Sequence, residues 1–351
     1  MRSFGILIIM RKFLFIFFLS FLLLNVSGQI ITGYVIDEET KRKISQSLIY
    51  FDGTFHRTMT DIHGNFSFDI SEYPLMPVTV SSPGYYSVSF DAEPSEKPVQ
   101  ILLKPKLPES NEASGKSEEQ EKERNENLKQ FKNIILGKTH NALSCKIINE
   151  NEIIFTTDNN IVKAYASGPL LIHNEALGFK ASYYLDKFVL NTEDENFFYS
   201  GNILFNEDLA SEVQNKKYIK KRGEAYLKSR TYFFRLLWAD RLDSAGFIVK
   251  NALNEDLLYN NIVIDKGSEG KYLKHINKMN GSDKEISTYI VFLEKEAVYD
   301  SWGRLDISCI TEITLQNDIY FDRKGYFDPT GISWRGKLAK QRIADLLPLE
   351  Y

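Results

Sequence analysis

Thr60-Asp61-Ile62-His63-Gly64-Asn65-Phe66-Ser67-Phe68-Asp69-Ile70 is the stretch whose pattern decides the fold of the N-terminal region. Phe66, Phe68 and Ile70 alternate with Asn65, Ser67 and Asp69. A period of two places the aromatic groups on one face of a strand and the polar groups on the other, as in a half-buried antiparallel sheet. The pattern repeats outward. Tyr86, Val88 and Phe90 alternate with Tyr85, Ser87 and Ser89, Val78 and Val80 do so more briefly, and Val99, Ile101 and Leu103 close the series. Asp52-Gly53, residues 61–64 and Ser82-Pro83-Gly84 supply turns between the runs. About seven short strands with no helical stretch predict a small β-sandwich over residues 29–104.

The turns carry a resemblance. Gly33-x-Val35-x-Asp37-x-x-Thr40, Gly53-Thr54 and Thr60-Asp61-x-x-Gly64-x-Phe66 resemble the carboxypeptidase regulatory-like domain. That resemblance implies a transthyretin-like sandwich of the kind found behind the signal peptide in envelope proteins of Bacteroidota. In physical terms, Asp61 can bond the amides of its own turn, and Gly64 supplies a positive φ before Phe66 re-enters the core. The chain departs from the pattern at Lys43-Ile44, where Pro-Leu is usual, and at Ser47, where Ala is usual.

Arg11 and Lys12 precede an apolar run over residues 13–24, broken only by Ser20, and small residues follow to Gly28. This is the order of a secretory signal peptide over residues 1–28, cleaved between Gly28 and Gln29. Met10-Arg11-Lys12 makes a better start than the apolar residues before it. The apolar run is about a dozen residues, against roughly 20 for a spanning helix, so the mature chain is expected to carry no transmembrane helix. The expected location is the periplasm or the outer membrane. With a net charge of −4, the chain has no basic field for nucleic acid. The local basic run Lys216-Lys217-Tyr218-Ile219-Lys220-Lys221-Arg222 reads as the solvated face of a helix start.

Residues 105–127 read as a charged linker leading into an exposed helix start. Residues 128–351 then read as one α+β domain of unknown function, with strands near 153–156, 181–188, 262–265 and 286–293. One long helix is expected over 211–245, with Tyr226, Arg230, Phe234, Trp238 and Leu242 on a core-facing stripe and Gly246 as its stop. Gly137-x-Thr139-x-Asn141-Ala142-x-x-Cys145, Pro169-Leu170-x-Ile172-x-Asn174-x-x-Leu177-Gly178-Phe179, Ala225-Tyr226-x-x-Ser229-x-x-x-Phe233-x-Arg235 and the segment 343–351 resemble the body of exported Bacteroidota proteins that carry the same sandwich. That resemblance implies no activity. Lys228 and Tyr232 depart from it, standing where Gly and His are common. Ile343, Leu346, Leu347 and Leu349 are expected to dock as a helical turn.

No catalytic, cofactor-binding or metal-binding residues are assigned, and no cofactor is expected. None of His56, His63, His140, His173 and His275 has Glu three residues on, as a zinc carboxypeptidase would require. Nucleophile-elbow and phosphate-loop motifs are absent as well. Asp37-Glu38-Glu39 and Glu193-Asp194-Glu195 read as solvated loops, and Asp243-Ser244-Ala245 fits a short O-glycosylation pattern. Cys145 and Cys309 lie on apolar phases, which suits either a disulfide or two buried thiols. The expected function is a non-catalytic exported envelope protein that binds or scaffolds, its partner an envelope protein or a glycan. The alternative is a hydrolase with a dispersed site in the C-terminal domain, around Arg230, Arg235, Asp240 and Arg241.

Overall fold

A computed structural model describes residues 29–95, 97–106, 118–209, 215–267, 270–275, 287–294 and 306–351. Gly28 and the leader expected before it lie outside the described residues, and Gln29 is the first residue described. Seven strands form the N-terminal sandwich: β1 Ile30–Asp37, β2 Leu48–Phe51, β3 Arg57–Met59, β4 Asn65–Asp69, β5 Val78–Ser81, β6 Val88–Phe90 and β7 Val99–Leu103. One sheet has the order β4-β1-β7 and the other β3-β2-β5-β6. β1 runs antiparallel to β4 and parallel to β7. Ile31, Val35, Phe66, Phe68 and Ile101 of the first sheet face Ile49, Phe51, Val78 and Val80 of the second, all buried. The alternation read from the sequence is this inner face.

The turns behave as their residue types require. Asp61 Oδ1 accepts from the amides of His63 and Asn65, both at 2.8 Å. Those bonds, the one from Asn65 foremost, hold the Asp61 carboxyl below its ordinary range. Gly64 has φ +74°, and a Cβ there would sit 2.9 Å from the Lys43 Cβ. Asp37 is a correction to the solvated-loop reading. It is 7% exposed and takes the amides of Glu39 and Thr40 on one oxygen and the Tyr85 hydroxyl on the other.

A second core follows. α1 Glu118–Ile135 lays Phe131 and Ile135 against a sheet of β8 Cys145–Ile147, β9 Ile154–Asp158, β10 Ile161–Tyr165, β11 Leu170–Asn174, β12 Phe179–Asn191 and β13 Phe197–Asp208. The long strand β12 pairs with β13 along one edge, and with β11 and then β10 along the other. α1 starts at Glu118, inside the stretch expected as a linker.

The remainder builds a third core, so the C-terminal region holds two cores where one was expected. α2 Asn215–Tyr226 and α3 Arg230–Trp238 come first. The strands are β14 Phe247–Asn251, β15 Val263–Asp265, β16 Lys271–Leu273, β17 Ser287–Leu293, β18 Thr311–Leu315, β19 Ile319–Phe321 and β20 Ile332–Gly336. They form sheets of order β14-β17-β18-β20 and β15-β16-β19 around Phe233, Phe234 and Leu237. The single helix expected over 211–245 is therefore broken. Ser229, 3% exposed, accepts the Tyr232 amide at 3.0 Å and donates to the Tyr226 carbonyl at 2.7 Å. One hydroxyl thus ends α2 and caps α3. Ala225 before the break packs in the second core, and Phe233 after it in the third.

The modules are fastened to one another. Thr54 forms a parallel bridge to Leu204 of β13, with Gly53 N bonding Ile203 O at 2.7 Å and Phe205 N bonding Thr54 O at 2.9 Å. Behind it Tyr50, Tyr184 and Leu204 form a small apolar cluster. This explains why β2 and β5 are buried on both faces. Segment 343–351 joins all three cores. Ile343 and Ala344 sit in the second, Leu349 packs against the sandwich and bonds Gly53 O at 3.0 Å, and Arg235 of α3 donates to Leu349 O at 2.8 Å. The helical turn expected there is a single 3₁₀ turn, Ile343–Asp345.

Candidate functional site

The α2–α3 break opens a cleft of about 290 Å³ between the second and third cores. Its floor is apolar and comes from Ala225 of α2, Phe247 of β14, Val291 and Phe292 of β17, and Leu338; all five are buried. Its rim is charged. Lys221 and Lys228 come from the C-terminal half of α2 and the break, and Lys337 and Lys340 from the segment after β20, with Glu224, His140 and Asp345 between them. The ammonium groups of Lys221, Lys228 and Lys340 make no ion pair among the described residues, although the charge of Lys228 is felt by Asp345.

Asp345 is the most constrained of these groups. Its Oδ1 accepts from Thr139 Oγ1 at 2.8 Å and Asn141 Nδ2 at 2.9 Å. Its Oδ2 is buried without a partner. Burial pushes this carboxyl up, against the pull of those two donors, the Arg342 amide and the positive charge of Lys228. The loop that supplies Thr139 and Asn141 is the one whose pattern the sequence singled out. Asn174 of the same resemblance donates to Ala344 O at 2.9 Å. These positions hold segment 343–345 in place and so set one wall of the cleft.

The sequence-based candidates fall in different places. Arg230 spends Nε on Leu338 O at 3.2 Å and stacks over Trp334, and burial pulls its pKa down to about 10. Arg235 spends Nε on Lys324 O and Nη2 on Leu349 O. Asp240 and Arg241 are exposed beyond the end of α3. The four do not converge. His140 reaches the cleft rim, while His63 is exposed and His56 bonds Asp69 O. Among the described residues no group of three His, Cys, Asp or Glu side chains gathers as a metal site would require. Ser244 of the glycosylation pattern is exposed and donates to Arg241 O.

Of the two readings left open for the cysteines, the structure has the free thiols Cys145 and Cys309. Cys145 points into the second core from β8, where burial pushes its thiol up to about 12, with the charge of Asp345 adding. Cys309 is half-buried on the cleft wall, in the turn before β18. Their apolar phases are real but belong to different walls. The basic run likewise divides. Arg222, 5% exposed, donates to Leu177 O, to Gly178 O and to both oxygens of Asp208, and stacks 3.9 Å above the Phe179 ring. Lys221 beside it faces the cleft.

A second buried polar group lies at the sandwich junction. Lys106 donates to Leu185 O at 2.7 Å and lies 3.6 Å from Asp186, which also accepts the Ser87 amide. Asp52 accepts the Ile203 amide at 2.6 Å. The residue keeps some surface, yet its carboxyl is enclosed by protein; burial pushes it up to about 7, the Ile203 amide opposes this and Asp186 adds to it.

No helix among the described residues is long and apolar enough to cross a membrane. No curated protein matches this chain. Residues 31–113 match the model of the family described as the CarboxypepD_reg-like domain, which makes the N-terminal sandwich a module of the regulatory or binding type, not a catalytic one.

Proposed function

We propose that this chain is an exported cell-envelope protein that binds or scaffolds rather than catalyses, with the mature chain beginning at Gln29. The observation that carries the reading is the cleft between the second and third cores: a lysine-rich rim with Lys221, Lys228 and Lys340 stands over an apolar floor. Such a surface holds a ligand by desolvation and charge. The arginines that a dispersed hydrolase would have used are consumed by the carbonyls of Leu338, Lys324 and Leu349. The rigid junction with the sandwich suits a docking module for an envelope protein or glycan.

N-terminal sequencing of the chain from fractionated envelope tests export. Recovery of residues before Phe13 would overturn that part. An enzyme reading has one foothold, because Glu224, Asp345 and His140 share the cleft. Turnover of ester, peptide or glycoside substrates by the purified full chain, abolished in Glu224→Gln, would replace binding with hydrolysis.

A further inference from the structure

We infer that the cleft between α2 and the segment after β20 takes a small amphipathic anion, an apolar body of acyl or aromatic kind with one carboxylate or phosphate head. The inference rests on the binding reading above and adds the ligand's chemistry to it.

Three features converge. The floor residues Ala225, Phe247, Val291 and Leu338 are buried side chains from four separate elements, so it is a shaped apolar surface and not a scattered one. At about 290 Å³ the cleft sits at the lower edge of the roughly 300–1,000 Å³ range of small-molecule sites, which admits a short chain or a single ring system and excludes a folded partner. The rim then sets the charge. Lys221 and Lys228 stand on one side and Lys340 on the other, none of them in an ion pair among the described residues. An anionic head between them gains attraction from both sides.

Asp345 refines the assignment. Its buried Oδ2 has no donor, and its pKa is raised. Burial disfavours the charged form of this carboxyl, which lessens its repulsion of an anionic head held by the lysines. A cation would be expected to seek this carboxylate, but the lysines on the rim oppose a positively charged ligand.

The test is calorimetric titration of the purified full chain with decanoate and decyl phosphate, with 1-decanol as the neutral control, at low and high salt. Both anions are expected to bind at least tenfold more tightly than the alcohol and to weaken as salt rises. The double variant Lys228→Glu/Lys340→Glu is expected to lose at least tenfold in affinity for both anions, with an unchanged melting midpoint because both side chains are exposed. Leu338→Arg, which fills the floor, should weaken the alcohol as well. Equal affinity for anion and alcohol, unaffected by charge reversal, would overturn the anionic head and leave an apolar binding site. Absence of binding by all three probes to the folded chain would overturn the ligand class and the cleft together. The scaffolding reading would then be judged by whether the chain still sediments with envelope material.

Discussion

Ser47 shows how much a single side chain can disclose. It is fully buried, its amide is taken by Thr60 Oγ1 at 2.9 Å, and its own hydroxyl has no partner. An unsatisfied buried hydroxyl costs roughly 1–3 kcal/mol, so Ser47→Ala is expected to raise stability by about 1 kcal/mol in chemical denaturation. A loss of stability would mean that the hydroxyl has a partner after all. The position was legible from the sequence as a departure from the family pattern, but its burial was not. Arg222 was misread for the opposite reason, because Lys216, Lys217, Ile219 and Lys220 before it lie on a wet helix face. Only the packing of Phe179 and the carbonyls of the 177–178 turn draws it inward. Arg222→Ala is expected to cost about 1–3 kcal/mol, since it takes the donor away from the Leu177 and Gly178 carbonyls. A midpoint unchanged in urea would show that the stack on Phe179 is idle.

At the scale of elements, the strands of the sandwich were readable because each buries one face, and period two survives whatever lies beyond. The α2–α3 break was harder. Spacing of four runs through Tyr226, Arg230 and Phe234 without interruption, and the break is carried by one residue type, a serine able to cap. That signal was present and was outweighed by the stripe. The docking of segment 343–351 was readable as greasiness but not as geometry, since its partners lie some one to three hundred positions earlier in the chain. Deleting residues 346–351 removes Leu346 and Leu347 from the second core and Leu349 from the sandwich. At roughly 1.5–3 kcal/mol for each fully buried leucine, and less for these half-buried ones, a loss of about 3–6 kcal/mol is expected. A thermal midpoint within a degree of the full chain would refute the docking.

Across the whole molecule, the junction between sandwich and second core depends on protonation. Asp52 rises from 3.8 to about 7 on folding. Between those values the folded chain binds more protons than the unfolded one, so stability falls as pH rises from about 4 through 7 and the loss is complete above 7. The shift sets an upper limit of roughly 4 kcal/mol at 1.36 kcal/mol per unit. Asp52→Asn keeps an acceptor for the Ile203 amide and removes the titration. It is expected to flatten the pH dependence of the melting midpoint between 5 and 8 and to raise that midpoint at pH 8. Identical slopes in the two proteins would place the dependence elsewhere. None of this was legible beforehand, because Asp52 reads as an ordinary turn residue beside Gly53 and only the approach of β13 encloses it. The cleft escaped notice likewise: its lysines are far apart in sequence and no spacing rule links them.

The bond between Leu349 and Gly53 closes a loop that takes in nearly every described residue. On a growing chain the sandwich, which ends at Leu103, emerges first and must wait for about 250 further residues before this contact can form. Until then Gly53 keeps an unfilled carbonyl and the apolar surface meant for Leu349 stays wet. A chain truncated before residue 349 therefore carries an open seam between otherwise well-formed parts, and faster cleavage there in limited proteolysis is the expected sign of it.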